Sequence, residues 1–212
     1  MSRGKFITLE GGEGTGKSTQ ISLLTKALNN AGIESVQTRE PGGSPSAEDI
    51  RSLLVEGDTD KWDGLTEVLL NYAARHEHLR QTITPALEAG HCVISDRFAD
   101  STVAYQGYGH GYDLSVISRI HEIVVGSFCP NLTIILDIPV DQGLSRAGSR
   151  NDKEDRYERM KLEFHERVRN GFLEIAKQEK DRCVVIDALG SIEQVHLAIK
   201  EAVTHKLGIH LS

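Results

Sequence analysis

Short apolar runs alternate along this chain with longer stretches in which apolar residues recur every three or four positions. The short runs favour β structure and predict five strands, at Lys5–Glu10, Glu34–Thr38, His91–Ser95, Leu132–Asp137 and Cys183–Asp187. The longer stretches predict six helices, at Lys17–Asn30, Ser46–Val55, Thr66–Ala89, Leu114–Phe128, Arg156–Lys177 and Ile192–His205. This alternation predicts an α/β fold, in which a five-stranded parallel sheet carries helices on both faces.

Composition narrows the class of protein. The chain has 212 residues, of which 39% are hydrophobic and 26% are charged, and its net charge is −7. This length suits a single domain over residues 1–212. The negative charge argues against a broad basic surface, so we expect no nucleic-acid partner and phosphate binding only by local groups.

Two further features indicate a cytoplasmic protein that does not contact a membrane. No apolar run approaches the roughly 20 residues that span a bilayer, and the first strand follows the start directly, so we expect neither export nor anchoring. The cysteines lack metal-ligand spacing, and we expect buried, reduced thiols at Cys92, Cys129 and Cys183.

Residues 11–18, between the first strand and the first helix, read Gly-Gly-Glu-Gly-Thr-Gly-Lys-Ser and fit the phosphate-loop pattern. Glycines let successive backbone N–H groups turn around a phosphate, and the helix N-terminus adds partial positive charge. Lys17 is expected to reach the outer phosphates, and the Ser18 hydroxyl to bind Mg²⁺. The predicted nucleotide-binding residues are Gly11, Gly12, Glu13, Gly14, Thr15, Gly16, Lys17, Ser18 and Thr19.

Polar residues follow the other strands, and we expect them to converge at the edge of the sheet where the carboxyl ends of the strands meet. They are Arg39-Glu40-Pro41-Gly42-Gly43, Asp96-Arg97, Asp137 and Asp187. Asp96 is suited to hold Mg²⁺ or its water shell, or to accept a proton. Arg97 is suited to grip a second phosphate, although a strand-end salt bridge would also explain it. Arg39 facing the same crevice would indicate a phosphorylated acceptor rather than water; the alternative is a surface arginine in a turn.

Two other segments carry candidate chemistry. Tyr72 and Arg75 share a helix face, and Arg75, Thr102 and Gln106 are suited to read the polar edge of a base, although core and surface roles would also explain these residue types. The segment 146–169 is rich in charges of both signs; its second half is an amphipathic helix, and its first half is more typical of a loop.

Five segments occur in the order found in thymidylate kinases: Gly-Gly-Glu-Gly-Thr-Gly-Lys-Ser-Thr, Arg-Glu-Pro-Gly-Gly, Tyr-Ala-Ala-Arg, Ser-Asp-Arg-Phe and Ser-Thr-Val-Ala-Tyr-Gln-Gly. The chain resembles that family over essentially its whole length. The resemblance implies the P-loop nucleoside monophosphate kinase fold with a short lid. It also implies ATP-dependent phosphorylation of dTMP to dTDP in dTTP biosynthesis, with Mg²⁺ as cofactor, by a cytoplasmic homodimer.

The resemblance also implies a role for each matching residue. Lys17 and Ser18 serve ATP and Mg²⁺, and Asp96 organises the metal and the phosphate acceptor. Arg39 and Arg97 hold the dTMP phosphate. Glu13 approaches the sugar 3′-hydroxyl, Tyr105 crowds the 2′ position, and thymine contacts Arg75, Thr102 and Gln106.

One position in the phosphate loop indicates where the catalytic arginine lies. Some family members carry a basic residue directly after the acidic residue of the loop, but this chain has Gly14 there. It therefore resembles members that place arginines in a mobile lid, here about residues 146–156. We expect Arg150, and after it Arg146, to be catalytic beside Lys17, Asp96 and Arg97, because an arginine over the transferred phosphate stabilises transition-state charge. Arg156 is either part of the lid machinery or structural.

The thymine site departs from the family pattern. Many members have a phenylalanine, stacked on the base, four residues before the equivalent of Arg75, and this chain has Asn71 there. We expect Tyr72, which also faces the Arg75 side of the helix, to take over the stacking. The alternative functions are another P-loop nucleoside monophosphate kinase and a nucleotide-dependent switch or assembly ATPase. No Asn-Lys-x-Asp motif is present, which argues against a GTPase switch.

Overall fold

The computed structural model describes residues 3–147 and 156–211. Its five strands form one parallel sheet in the order β2-β3-β1-β4-β5. The strands are β1 (Phe6–Glu10), β2 (Ser35–Arg39), β3 (Cys92–Asp96), β4 (Leu132–Asp137) and β5 (Cys183–Asp187). The predicted α/β fold and all five predicted strands are confirmed, each within one residue at either end.

Helices cover both faces of this sheet. In the described part of the chain they are α1 (Lys17–Asn30), α2 (Pro45–Val55), α3 (Gly64–His78), α4 (Thr84–Glu88), α5 (Ala99–Thr102), α6 (Leu114–Val124), α7 (Val140–Ala147), α8 (Leu162–Gln178) and α9 (Ile192–Leu207). A π-helical segment, Leu79–Ile83, joins α3 to α4, and a second, Val103–Gly109, follows α5. The predicted lid, about 146–156, lies mostly outside the described residues.

Alternate strand residues enter apolar clusters on the two faces of the sheet. On one face Ile7, Leu9 and their neighbours in β3 and β4 pack against apolar residues of α1 and α9. On the other face Phe6 packs with Phe98 in one cluster, and Ile135 packs with Phe172 of α8 in another. Because successive strand side chains point to opposite faces, the near-continuous apolar strands contribute to the clusters on both sides.

Two helical regions were not predicted. The stretch from α5 through Val103–Gly109 is buried on nearly every side, so it lacks the apolar-polar period of a surface helix. α7 is short, and only three of its residues are buried. The predicted helix from Arg156 instead begins at Leu162, after a turn.

Three further features of the fold concern the cysteines, metal-binding clusters and membrane-spanning helices. Cys92 and Cys183 are buried and free as expected, but Cys129 is exposed, so that part of the expectation is wrong. Within residues 3–147 and 156–211, no cluster of histidine, cysteine and carboxylate side chains is arranged to hold a metal ion. No helix in those ranges combines the length and apolar character needed to cross a membrane.

The strand register brings the polar strand ends to one edge. Arg39 lies opposite Asp96 in the β2–β3 ladder, and Glu10 lies opposite Ile135 in the β1–β4 ladder. The phosphate loop leaves β1 at this edge and ends at the first turn of α1. The parallel strand register therefore brings the phosphate loop, Asp96 and the arginines to one edge of the sheet, as predicted.

Candidate active site

A cavity of about 870 Å³ opens at the carboxyl edge of the sheet. Most of the predicted site residues line it: Glu13, Gly14, Thr15, Gly16, Lys17, Ser18, Thr19, Arg39, Asp96, Arg97, Thr102, Tyr105 and Gln106. Gly11 and Gly12 lie behind this wall, where their carbonyl groups accept hydrogen bonds from the Lys17 ammonium at 3.2 Å and 2.9 Å. The phosphate loop and two arginines, Arg39 and Arg97, therefore line the same cavity.

The Lys17 ammonium is buried within the phosphate loop. Burial disfavours its charged form and the Arg97 charge adds to that effect, so the pKa of Lys17 is lowered to about 8 even though Asp96 and Glu13 oppose the shift. A bound phosphate would add negative charge beside the ammonium and favour its charged form. The lysine is therefore placed to respond strongly to an anionic ligand.

Position 14 requires glycine because the phosphate-loop backbone lies close to the backbone of α7 there. Its φ is +66°, and a Cβ atom at this position would lie 2.0 Å from the carbonyl oxygen of Gly143 on α7. A side chain at Gly14 therefore meets both an unfavourable backbone conformation and the α7 main chain. In this protein the loop has no room for a basic residue of its own.

Asp96 and Ser18 form a pair suited to a divalent cation. The Ser18 hydroxyl donates to Asp96 Oδ2 at 3.2 Å. Asp96 Oδ1 is buried, and no described residue donates a hydrogen bond to it. Mg²⁺ commonly binds through one or two protein oxygens together with phosphate and water oxygens, and an unpaired carboxylate oxygen beside a hydroxyl fits that requirement.

Arg97 is held at the centre of the site. Its φ is +72°, an uncommon conformation for a residue with a side chain, and such strain concentrates at functional sites. Its guanidinium donates to Gly11 O at 3.0 Å, to Glu13 Oε1 at 3.0 Å and to the Tyr105 hydroxyl at 2.8 Å. The Tyr105 hydroxyl donates in turn to Glu13.

This arrangement keeps Glu13 anionic. Burial alone would favour the neutral acid, but the charges of Arg97 and Lys17 and the hydrogen bond from Tyr105 outweigh it, and the pKa of Glu13 falls to about 2. A carboxylate on the cavity wall beside Tyr105 is able to accept a hydrogen bond from a sugar hydroxyl.

A buried carboxyl behind the wall supports the turn that carries Arg97. Glu10 accepts from the Phe98 backbone N–H at 2.7 Å and from the Ser101 hydroxyl at 2.6 Å. Burial, together with the nearby Asp100 charge, raises the pKa of Glu10 to about 8. Glu10 thus ties the end of β1 to the residues that follow β3.

Arg39 lies on the cavity wall and is half exposed. Its guanidinium donates to both carboxylate oxygens of Glu48 on α2, at 3.2 Å and 2.9 Å, and Glu48 also accepts from the Gly43 N–H at 2.8 Å. Arg51, one helical turn after Glu48, lines the same wall. The sequence signal for Glu48 and Arg51 is their spacing of one turn on the helix predicted after Arg39.

Arg75 is buried beside the cavity rather than on its wall. Its guanidinium donates to Glu40 Oε2 at 2.8 Å and to Thr102 Oγ1 at 3.1 Å, and it lies 4.6 Å from the centre of the Tyr72 ring and 5.2 Å from that of Phe98. One of its nitrogens, Nη1, is buried, and no described residue accepts its hydrogen bond. Arg75 therefore keeps one nitrogen, with two N–H groups, that no described residue uses.

The expected stacking role of Tyr72 does not fit the structure. The Tyr72 ring is 1% exposed, its hydroxyl bonds His121 Nδ1 at 3.2 Å, and Arg75 lies over its face. Asn71, not Tyr72, lines the cavity. One step along a helix turns a side chain by about 100°, and that rotation carries Tyr72 into the core.

Two strand-end aspartates do not join the site. Asp137 accepts two hydrogen bonds from Arg169 of α8, at 2.7 Å and 2.9 Å. Asp187 accepts from the Leu189 backbone N–H at 2.9 Å. Neither lines the large cavity, so the expectation that all strand-end polar residues converge there is wrong for β4 and β5.

The predicted lid arginines have separate outcomes. Arg150 lies outside the described residues, and Arg146 donates to the Ala188 carbonyl at 3.3 Å. Arg156 is 1% exposed; it pairs with Glu67 and donates to carbonyl groups near the end of α2. Of the two roles left open for Arg156, these contacts support the structural one.

Comparison with known proteins fits this geometry. The family model described as thymidylate kinase matches residues 9–199. The chain belongs to the thymidylate kinase family. A thymidylate kinase of Caulobacter vibrioides is 52% identical over 209 residues, covering 99% of this chain and 100% of that protein, and one of Magnetococcus marinus is 48% identical over 93% and 94%. The crystal structure of thymidylate kinase from Ehrlichia chaffeensis superposes with a TM-score of 0.77 at 37% identity, covering 95% of this chain and 99% of that one.

Three further residues of this thymidylate kinase family site had no individual role in the prediction, although Glu40 belongs to a segment that was expected to lie there. Glu40 accepts from Arg75 and contacts His78, Tyr157 lines the cavity, and Glu67 lies directly behind Gln106. Glu40 stands within the Arg-Glu-Pro-Gly-Gly segment, which was a usable signal. Glu67 and Tyr157 are 90 positions apart, and no local pattern links them.

Proposed function

We propose that this member of the thymidylate kinase family transfers the γ-phosphoryl group of ATP to dTMP, yielding dTDP and ADP. One observation carries the proposal: the cavity that holds the phosphate loop also carries the guanidinium groups of Arg39 and Arg97. Two arginines beyond the loop suit a second phosphate, and a second phosphate indicates a phosphorylated acceptor rather than water.

The chemistry asked of the protein is mostly positioning and charge stabilisation. Loop N–H groups and Lys17 hold the ATP phosphates, while Arg39 and Arg97 hold the dTMP phosphate in line with the γ-phosphorus. An acceptor phosphate is already ionised, so little base assistance is needed. Ser18 and Asp96 would hold Mg²⁺, which when bound neutralises negative charge on the ATP phosphates.

The acceptor nucleoside is recognised on the opposite part of the wall. Glu13, anionic at neutral pH, accepts from the sugar 3′-hydroxyl, and Tyr105 beside it leaves little room for a 2′-hydroxyl. Thr102, Gln106 and the unused Nη1 donor of Arg75 are proposed to meet thymine. Asn71 supplies no stacking ring at this wall.

The lid is proposed to complete the transition-state site. Arg150 and Arg146 are the candidates, because Gly14 leaves the phosphate loop without a basic side chain. An arginine that closes over the transferred phosphoryl group is worth on the order of 10³–10⁵ in rate. Replacing the catalytic arginine with alanine should lower kcat far more than it weakens dTMP binding. Measuring both quantities in Arg150→Ala and in Arg146→Ala therefore shows which of the two arginines is catalytic.

The working form is proposed to be a cytoplasmic homodimer. The neighbouring helices α3 and α6 expose apolar side chains at Leu65, Leu69 and Ile123, the last 85% exposed. Exposed apolar surface of this kind marks association sites. Sedimentation at micromolar concentration should give a dimer, and a Leu69→Asp/Ile123→Asp variant should give a monomer; a monomeric wild type would contradict the proposal.

Coupled measurement of ADP release tests the activity directly. The rate should depend on dTMP and exceed the rates with dUMP, dGMP or no acceptor. A switch or assembly ATPase would instead release ADP at the same rate without an acceptor, and the family membership does not favour it. Absence of dTMP-dependent ADP release would refute the proposed function.

A further inference from the structure

The Gln106 amide is held in one orientation from behind the cavity wall. Its Nε2 donates to Glu67 Oε2 at 2.9 Å and to the Tyr157 hydroxyl at 3.2 Å. A carboxylate only accepts hydrogen bonds, so the nitrogen of the amide must face Glu67 and the oxygen must face away from it. Gln106 lines the cavity, and its Oε1 is therefore the atom left for a ligand there.

Glu67 is itself fixed by donors. Arg156 pairs with Glu67 Oε1, and the Tyr157 hydroxyl donates to Oε2 at 3.1 Å. Both charged side chains are 1% exposed, and Glu67 does not line the cavity. Because Arg156 carries only hydrogen-bond donors, the atom of residue 67 that faces it must be an oxygen.

We propose that Glu67 is a positioning residue that determines base specificity. By fixing the Gln106 amide, it makes the cavity wall accept a hydrogen bond from the base. Thymine carries a hydrogen on N3 and satisfies this acceptor, whereas N3 of cytosine is itself an acceptor and does not. The inference rests on the proposed function and deepens it, because it assigns the choice between pyrimidines to a side chain that does not touch the substrate.

The alternative orientation of Gln106 is disfavoured by charge and burial. A flipped amide would put its oxygen at hydrogen-bond distance from Glu67 Oε2, in a site where Gln106 is 2% exposed. It would replace a hydrogen bond to a charged group with a repulsive contact that water screens poorly. Sites built to bond a particular donor reject analogues that lack it, because buried polar groups are then left unpaired.

The Glu67→Gln variant tests the proposal. Arg156 holds the introduced carbonyl oxygen, so the introduced NH₂ faces Gln106 and draws the Gln106 oxygen toward itself. The Gln106 nitrogen then faces the cavity. We expect the ratio of kcat/KM for dTMP to kcat/KM for dCMP to fall at least about tenfold, the factor associated with leaving one buried polar group unpaired. An unchanged ratio in a folded variant would overturn the proposal.

Two further variants separate this effect from general disruption. Tyr157→Phe removes a hydroxyl that contacts both Glu67 and Gln106 but leaves the carboxylate. The Gln106 nitrogen can still donate to Glu67, so the dTMP to dCMP ratio should stay within about threefold of wild type. The double variant Glu67→Gln/Gln106→Glu keeps the net charge and one carboxylate in the cluster. Its carboxylate presents an acceptor to the base in either orientation, and the preference for dTMP should return.

The experiment remains decisive if one variant fails to fold. Should Glu67→Gln melt below the assay temperature, the variant Glu67→Leu/Arg156→Met, which removes both charges of the buried pair and leaves the Gln106 amide unanchored, replaces it. A lowered dTMP to dCMP ratio in that variant supports the proposal, and an unchanged ratio overturns it. A wild-type protein without dTMP-dependent ADP release would refute the proposed function. Wild-type activity with an unchanged ratio in Glu67→Gln would refute only the role of Glu67.

Discussion

Replacing Arg156 with methionine should destabilise the protein strongly without removing a catalytic group. Arg156 is 1% exposed and pairs with the equally buried Glu67. Its guanidinium also donates to the carbonyl groups of Leu54 at 3.0 Å, Asp58 at 2.8 Å and Thr59 at 3.1 Å. Methionine keeps much of the volume but supplies no donor.

The expected loss follows from the stranded carboxylate. Removing one partner of a buried ion pair costs roughly 3–5 kcal/mol, because the remaining charge stays buried without compensation. We take about 4 kcal/mol as the loss in the free energy of unfolding, since the carbonyl groups of Asp58 and Thr59 regain part of their hydrogen bonding from water. For a chain of this size about 2–4 °C of melting temperature corresponds to 1 kcal/mol, so Arg156→Met should melt about 8–16 °C below wild type.

Thermal unfolding followed by circular dichroism measures this loss, and Arg119→Met is the matched control. Arg119 is an exposed arginine on α6, so its loss should change stability by no more than about 0.5 kcal/mol. A double variant, Arg156→Met/Glu67→Leu, removes the stranded charge and should recover at least half of the lost melting temperature.

Kinetics at a temperature where Arg156→Met is folded complete the test. With saturating ATP and dTMP, kcat should fall far less than the roughly 10³-fold lost with an arginine at the transferred phosphoryl group. A melting temperature within about 2 °C of wild type, together with a kcat reduced by a factor of 10³, would place Arg156 in the lid machinery and refute the structural role.

Further predictions concern the phosphate loop and the thymine wall. Gly14→Ala should lower the melting temperature by several degrees because its Cβ meets a carbonyl oxygen at 2.0 Å, whereas Gly12→Ala, with nothing within 4 Å of its Cβ, should not; equal melting curves would contradict the close approach. Asp96→Asn should reduce kcat by about 10² or more and raise the Mg²⁺ concentration needed for half-maximal rate, since its unpaired oxygen loses its charge; an unchanged Mg²⁺ titration would argue against the metal role. The pKa of Lys17 is about 8 in the free enzyme, so its charge is present below pH 8 and is lost as the pH rises. ATP affinity measured by calorimetry should therefore fall between pH 7 and 9.5, and should stay level in Lys17→Arg, whose guanidinium remains charged. Asn71→Phe adds a ring to the cavity wall and should lower KM for dTMP about fivefold or more, because stacking on a base is worth roughly 1–3 kcal/mol; an unchanged KM would show that the base lies elsewhere.

The sheet and the phosphate loop were predictable because their signals are local. Five apolar runs with helical stretches between them define a parallel sheet, and the carboxyl ends of parallel strands share an edge by geometry. The positions of Lys17, Ser18, Asp96 and Arg97 in one cavity follow from that edge and from the glycine-rich loop. None of this required knowledge of contacts between distant side chains.

The choice between Asn71 and Tyr72 was not predictable from spacing. Both residues precede Arg75 on α3 by three or four positions, and either spacing places a side chain on a shared helix face. The docking of α3 against α6 decides that Tyr72 meets His121 and that Asn71 faces the cavity. A helix period identifies a face but not what the face packs against.

The sequence by itself determined the order of elements, the phosphate loop and the set of arginines and carboxylates at the edge of the sheet. It did so because strand and helix periods, turn glycines and the loop motif are each encoded within a short stretch of chain. Only the tertiary structure decided which atoms of those residues remain available. Among the residues that the structure describes, Gln106 Oε1, Arg75 Nη1 and Asp96 Oδ1 have no hydrogen-bond partner, because other donors and acceptors bind the remaining atoms of those side chains. Those partners, such as Glu67 for Gln106 and Glu40 for Arg75, lie tens of residues away along the chain, so no local sequence pattern predicts them.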